Sequence, residues 1–448
     1  PSHRDYAGRN QVLNPDGSNL GEETCFSEDT MRYSEWIESE VMVDFERAFQ
    51  GVPAWRPREN GGDFKFHTAS SCERSIYPLQ PETSQICDDN DWDCRMTDEA
   101  IENEKEKWRR WEKEHSHPTA EEDLLILPNR VFGFIFRTRK WGCLELGFGS
   151  DGEAKLKERK PRPEPWNELQ LPDGHKRVVQ SLVESHFAKR DSGKSLQFDL
   201  VRAKGKGVIF LLHGVPGVGK TSTAGMLKHP CVAEANHRPL LPITCGMEVE
   251  TRLEKDFRLA QVWNCVLLLD EADIFLAQRN ENDVKRNALV SVFVRVLEYY
   301  EGVLFLTTNR VGVFDEAFKS RIHMALYYPP LEWKYTKRIW DTHLMKLQAS
   351  GIVEVDDQDI LEYAETSFEK QAAKGSPVGP VWNGRQIRNA FQSAVALAGF
   401  KHQGGKIRLE REHFERVSRV SNEFNHYVWS IKCQSDAEKA EKWGYRFD

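Results

Sequence analysis

Eight residues at 214–221, Gly-Val-Pro-Gly-Val-Gly-Lys-Thr, constrain this chain more than any other feature. They match the spacing GxxxxGK[ST] and directly follow the apolar run Val-Ile-Phe-Leu-Leu at 208–212. A strand feeding such a loop, with a helical pattern after it, is the setting in which this spacing binds phosphate. Gly214, Gly217 and Gly219 let the backbone curl with its N–H groups turned inward. A helix opening near Lys220 adds the positive end of its dipole. Lys220 is expected to reach the β- and γ-phosphates of a nucleotide, and the Thr221 hydroxyl to ligate Mg²⁺. Val215, Pro216, Val218 and Ser222 complete the expected binding segment.

A second signal lies about 50 residues on, room for an intervening strand and helix in a parallel sheet. Residues 265–273 read Cys-Val-Leu-Leu-Leu-Asp-Glu-Ala-Asp, an apolar strand ending in two carboxylates. Asp270 is expected in the Mg²⁺ shell, with Glu271 beside it to orient and deprotonate an attacking water. A third apolar strand, at 303–309, ends in Asn309, which would hold that water near the γ-phosphate if this strand lies between the other two. Twelve residues later Arg321 is placed to cross a subunit boundary and stabilise transition-state charge in a neighbour's site.

From Gly207 onward apolar strands alternate with helical patterns, which predicts an α/β fold with a parallel sheet. The strand candidates are 208–212, 241–244, 266–269 and 303–307, and a helical stretch runs from about 331 to 431. Upstream, 131–136 and 141–146 alternate like the two arms of a β-hairpin. The segment 175–187 has Val178, Val179, Leu182, Val183 and Phe187 at helical spacing. Residues 1–120 are polar, with an acid-and-amide stretch at 88–93 and a charged helical pattern at 101–115 that carries Trp108 and Trp111. The expected organisation is therefore a polar, partly disordered region (1–120), a small α+β domain with linker (121–195), an α/β region (196–330), a helical region (331–431) and a tail (432–448).

The four elements at 214–221, 265–273, 303–309 and 314–323, in that order, resemble the AAA+ ATPases, and the wording is close to a fungal group of that family. The resemblance covers about residues 196–430, including Arg-Asn-Ala-Leu-Val-Ser-Val-Phe (286–293) and Asn-Gly-Arg-Gln-Ile-Arg-Asn-Ala (383–390). It implies a P-loop α/β module with a helical lid, ATP and Mg²⁺ as ligands, and hydrolysis of ATP at the interfaces of a homo-oligomeric ring, with a hexamer as candidate size. Remodelling of a protein or protein complex is the implied work, its substrate unnamed. The resemblance also implies a lid arginine near the phosphates. Arg385 and Arg388 both follow Gly384, and Arg388 is favoured.

Two features depart from the family. Pro230 interrupts the helix after the phosphate loop, with 225–230 reading as an insertion. The stretch after Gly246 looks short for a substrate-gripping pore loop and lacks an aromatic residue followed by a small one. Impaired threading is the expectation, and a nucleotide-held scaffold with little turnover is the rival function.

The remaining bulk features narrow the class. A net charge of −8 argues against a broad nucleic-acid surface. Asp270-Glu271-Ala272-Asp273 spells a helicase motif, but the region after 331 is helical and carries no second recombination-like domain. No apolar run has the roughly 18 residues a membrane-spanning helix needs. Nine cysteines without CxxC or zinc spacing favour a reducing, intracellular and cytoplasmic setting, with Cys245 and Cys265 as core residues. No HExxH or comparable protease motif is present.

Overall fold

The computed structural model describes residues 1–11, 30–31, 33–55, 106, 109–110, 128–159, 174–191, 206–221, 231–244, 249–276, 284–373, 381–401, 407–432 and 436–445. The acid-and-amide stretch at 88–93, Trp108, Trp111, Ser222, the 225–230 insertion with Pro230, and Cys245 and Gly246 lie outside these residues. The chain divides into two compact units, 1–159 and 160–448.

The first unit is an antiparallel sheet of β1 (Ser2–Gln11), β2 (Trp36–Val43), β3 (Arg130–Ile135), β4 (Lys140–Glu145) and β5 (Leu156–Glu158). Its order is β2-β3-β4-β1-β5, and β1 also pairs with β2, so four strands close on themselves. Closure removes the exposed edges that antiparallel sheets otherwise present. The β3–β4 hairpin is the one the alternating pattern predicted. Strands β1 and β2 come from the stretch expected to be polar and partly disordered. In β1 the buried positions are Tyr6, Gly8 and Asn10, so period two is present without apolar contrast. Asn10 survives burial because its amide donates to the Tyr33 carbonyl (2.9 Å) and accepts from the Glu35 N–H (2.7 Å). Tyr6, Ile37, Val41, Ile135 and Leu144 form the core. A short helix, Phe45–Gly51, starts on Asp44, whose carboxylate accepts from the Arg47 N–H.

The second unit is an α/β module followed by a helical lid. Its five parallel strands are β6 (Val208–Gly214), β7 (Leu240–Thr244), β8 (Val266–Asp270), β9 (Val303–Thr308) and β10 (Met324–Tyr328), in the order β10-β6-β9-β8-β7. Strand β10 was not among the candidates: only Leu326 and Tyr328 of its five residues are buried, too short an alternation to stand out. The inner strands are apolar over 208–212, 266–269 and 303–306, as strands covered on both faces must be, and turn polar at their C-terminal ends. Phe210 and Phe305 stack across β6 and β9 with ring centroids 4.7 Å apart.

The helix His175–Asp191 packs Val179, Val183 and Phe187 into this core, so it belongs with the sheet and not with the upstream strands. Val178 falls off that face and is 37% exposed. Helices Val249–Val262 and Val284–Tyr299 flank the sheet in sequence between β7, β8 and β9.

Four helices, Trp333–Ser350, Asp357–Ala372, Gly384–Lys401 and Arg411–Lys432, form the lid. A small parallel pair, β11 (Val353–Val355) with β12 (Ile407–Leu409), ties two of the connections together. Trp340, Tyr363, Phe391 and Phe414 fill its centre, with Trp340 and Phe391 centroids 4.9 Å apart. A short helix, Asp436–Lys442, closes the described chain. Among the described residues no helix is long and apolar enough to cross a membrane. Cys143 and Cys265 are buried and neither is in a disulfide.

Candidate functional site

The site is built at the C-terminal ends of β6, β8 and β9, where ligand crevices of parallel sheets form. Strand β6 delivers the 214–221 loop. Gly214, Gly217 and Gly219 all adopt positive φ (139°, 78° and 98°). At Gly214 no other residue fits, because a Cβ would meet the Tyr328 carbonyl oxygen of β10 at 2.1 Å. Val218 turns back and packs on the sheet core. The chain becomes helical at Lys220 and Thr221. Lys220 is 6% exposed, and its Nζ donates to the Gly214 carbonyl (3.0 Å) and to that of Val215. The ammonium is thus held inside the loop's own curl. Burial, and then the Lys220 charge, hold His213 below the usual imidazole range. The ring just before the loop is accordingly neutral at physiological pH.

Strand β9 lies between β6 and β8, as the expected role of Asn309 requires. The register sets Leu269 opposite Leu306, which brings Asp270 beside Thr307. Asp270 Oδ1 accepts from Thr221 Oγ1 (2.9 Å) and from Thr307 Oγ1 (2.5 Å). The two residues expected to ligate Mg²⁺ are therefore already in contact across 49 positions of sequence.

Glu271 is displayed just past the strand, exposed, with φ 53°. A non-glycine residue there costs about 1–3 kcal/mol and persists only where neighbours enforce it. Thr307 does so: its hydroxyl accepts from the Glu271 N–H (3.1 Å) and its carbonyl from the Ala272 N–H (2.9 Å). Thr308 donates to Asp273 in the same way. These two threonines and Asp273 were not singled out in the sequence. The signal was a Thr-Thr-Asn ending on a strand adjacent to one ending in Asp-Glu.

Asn309 Oδ1 is buried without a hydrogen-bond partner. An unpaired buried acceptor is uncommon and calls for an explanation. The hydroxyl and carboxylate oxygens of Thr221 and Asp270 are of the kind that bind a hard divalent cation, and the positive-φ glycines around the buried Lys220 fit an anionic ligand such as a phosphate.

Arg321 is half-buried and turned inward. It donates to the Ala317 carbonyl (2.5 Å) and lies 3.8 Å from the Glu298 carboxylate. It does not extend toward Asn309 or the loop within its own chain by any of these contacts.

The lid reaches the loop at Gly217. The Gly384 N–H, at the start of the helix Gly384–Lys401, donates to the Gly217 carbonyl (3.1 Å). Asn383 caps this helix with Gln386 in a reciprocal pair, each side chain accepting from the other's N–H (2.9 and 3.0 Å). A Cβ on Gly217 would strike the Asn383 amide at 2.3 Å. Gly217→Ala, strained at φ 78° and forced against Asn383, is therefore expected to push the lid off the loop and weaken nucleotide affinity about tenfold, which corresponds to about 1.4 kcal/mol. Titration with a fluorescent ATP analogue checks this. Arg385 and Arg388 are both exposed on that helix.

A parallel sheet carrying this loop, with an Asp-Glu strand end beside it and a helical lid above, defines a P-loop nucleotide-binding module. A family model described as "ATPase family associated with various cellular activities (AAA)" matches residues 210–330. One described as "Fungal AAA+ ATPase lid domain" matches 331–435. Residues 210–435 of this chain belong to the AAA ATPases, with a lid of the fungal type.

Among solved structures, a FIGL-1 AAA domain in complex with ADP is similar at 19% identity over 58% of this chain and 87% of that one, with a TM-score of 0.41. A second FIGL-1 AAA domain structure gives 20% identity over 61% and 91%, with the same TM-score of 0.41. No curated protein matches the chain.

Proposed function

We propose that this AAA module binds ATP at residues 214–221 and hydrolyses it with Mg²⁺, as a ring of identical chains that remodels a protein or protein complex. The carrying observation is the convergence of Thr221, Asp270 and Thr307 from three separate segments on one point beside Glu271. In this reading the N–H groups from Gly214 to Gly219 face the phosphates, and Lys220 leaves its carbonyl partners to pair with them. Thr221 and Asp270 hold the cation. Mg²⁺, when bound, neutralises charge on the phosphates. Glu271 takes a proton from the attacking water, and Asn309 supplies its unpaired Oδ1 to orient that water.

Arg321 acts in this scheme from the neighbouring chain, after exchanging Glu298 for the phosphate of the next site. Its inward resting position gives the rival reading a specific basis: a single chain would hold nucleotide while turning it over slowly, as a scaffold. Arg321→Ala is expected to lower turnover by about 10³-fold or more where the active species is oligomeric. The check is ATPase rate against protein concentration, with oligomer size measured by light scattering. An unchanged rate in an assembled sample contradicts the role across the interface.

A further inference from the structure

The loop that follows Asn309 is clasped by the C-terminal end of the described chain. The helix Asp436–Lys442 ends in a paired cap: the Gly444 N–H donates to the Glu441 carbonyl (2.9 Å) and the Tyr445 N–H to that of Ala440 (2.8 Å). Gly444 takes φ 66° to make the turn, as the left-handed position of such a cap demands. This turn points the Tyr445 carbonyl at residue 312, where it accepts from the Gly312 N–H (3.1 Å). It also sets the Tyr445 ring under the Arg310 guanidinium, 4.6 Å from its centroid. The approach is close enough that a Cβ on Gly312 would meet the Gly444 carbonyl oxygen at 1.7 Å.

What the tail grips is one residue from the reacting centre. Arg310 follows Asn309 directly, and its N–H donates to Thr308 Oγ1 (2.9 Å). Its Nε lies 3.9 Å from Asp273, the carboxylate that Thr308 also engages. The Tyr445 ring, the Arg310 guanidinium and Asp273 thus form a run of contacts ending on the loop that carries Asn309, whose Oδ1 is unpaired. Arg310 is otherwise half in water, its side chain 54% exposed, so the ring supplies a second surface against which it is fixed. A guanidinium over an aromatic face is attracted by the negative face of the ring.

From this we propose that Tyr445 is a positioning residue for ATP turnover: by fixing Arg310 and Gly312 it holds Asn309 in register with Glu271. The inference rests on the hydrolysis reading given above. Misplacement of a water-orienting group by about 1 Å is enough to cost about 10²-fold in rate. Nucleotide binding, which draws on Lys220 and the glycine loop, is outside the clasp's reach.

The test compares the whole chain with Tyr445→Ala, Tyr445→Phe and Gly312→Ala, reading kcat, KM and hydrogen exchange over residues 309–314. Tyr445→Ala is expected to lower kcat about tenfold or more with KM within about twofold, because a misplaced group acts on the chemical step. Tyr445→Phe keeps the ring and retains most of the rate. Gly312→Ala, which ejects the tail without altering it, reproduces the Tyr445→Ala result, and both variants speed exchange of the Gly312 amide. Unchanged kcat in Tyr445→Ala and Gly312→Ala, or a rise in KM alone, overturns the proposal. If wild type turns over no ATP, the hydrolysis reading fails. The exchange data then decide the clasp by themselves, with unaltered protection in both variants counting against it.

Discussion

Glu271→Gln is expected to bind ATP as tightly as wild type while losing turnover by about 10²- to 10⁴-fold, the share that a positioned general base contributes. The backbone around Glu271 is held by Thr307 through two hydrogen bonds, neither involving the carboxylate. The amide isostere therefore leaves the φ 53° conformation and the strand end unchanged. What it removes is the ability to accept a proton. In the proposed reading the phosphates are held by other residues, chiefly the 214–221 loop, so affinity has no reason to fall. A fluorescent-nucleotide titration beside a phosphate-release assay separates the two quantities. Loss of affinity equal to that in a phosphate-loop variant would mean that Glu271 supports the loop and does not serve the water.

Lys220→Ala gives the complementary outcome. Its ammonium is 6% exposed and spans the Gly214 and Val215 carbonyls, poised where the loop encloses an anion. A charge-assisted hydrogen bond is worth about 1.5–3 kcal/mol, so affinity for ATP should weaken by about 10- to 100-fold. The variant also leaves two carbonyls short of a donor, which lowers thermal stability modestly. The positive-φ conformations at Gly214, Gly217 and Gly219 stay accessible without the lysine, because glycine adopts them at no steric cost. Calorimetric titration with the non-hydrolysed analogue checks the affinity, and a melting curve checks that the loss is local.

The parts of the site readable from sequence are those where one residue type at one spacing is forced by chemistry. The glycines of 214–221 are such a case, since Gly214 meets Tyr328 and no side chain fits. The Asp-Glu end of β8 is another, because an apolar strand has little reason to finish on two acids. Asn309 was found by its strand, and the sheet order places that strand between β6 and β8.

What stayed hidden depends on contacts between distant segments. Thr307 and Thr308 read as ordinary strand residues until the β8–β9 register puts them against Asp270 and Asp273. The bond from the Gly384 N–H to the Gly217 carbonyl joins positions 167 apart in numbering and has no local signature beyond the Asn-x-x-Gln cap at 383–386. The order of motifs places Arg321 to reach a neighbouring chain, and its contacts with Ala317 and Glu298 within its own chain have no signature in that order. Strand β1 went unread for a different reason. Its buried side is Tyr, Gly and Asn, so burial is satisfied by hydrogen bonds and close backbone approach, neither of which a hydropathy pattern registers.

Steady-state ATP hydrolysis by wild type and Glu271→Gln with Mg²⁺, run across protein concentrations, tests the central claim most directly. Specific activity that rises with concentration in wild type and vanishes in the variant is the predicted result. Tight ATP binding by both proteins, with no wild-type turnover above the variant at any concentration, would contradict it and leave a nucleotide-held scaffold.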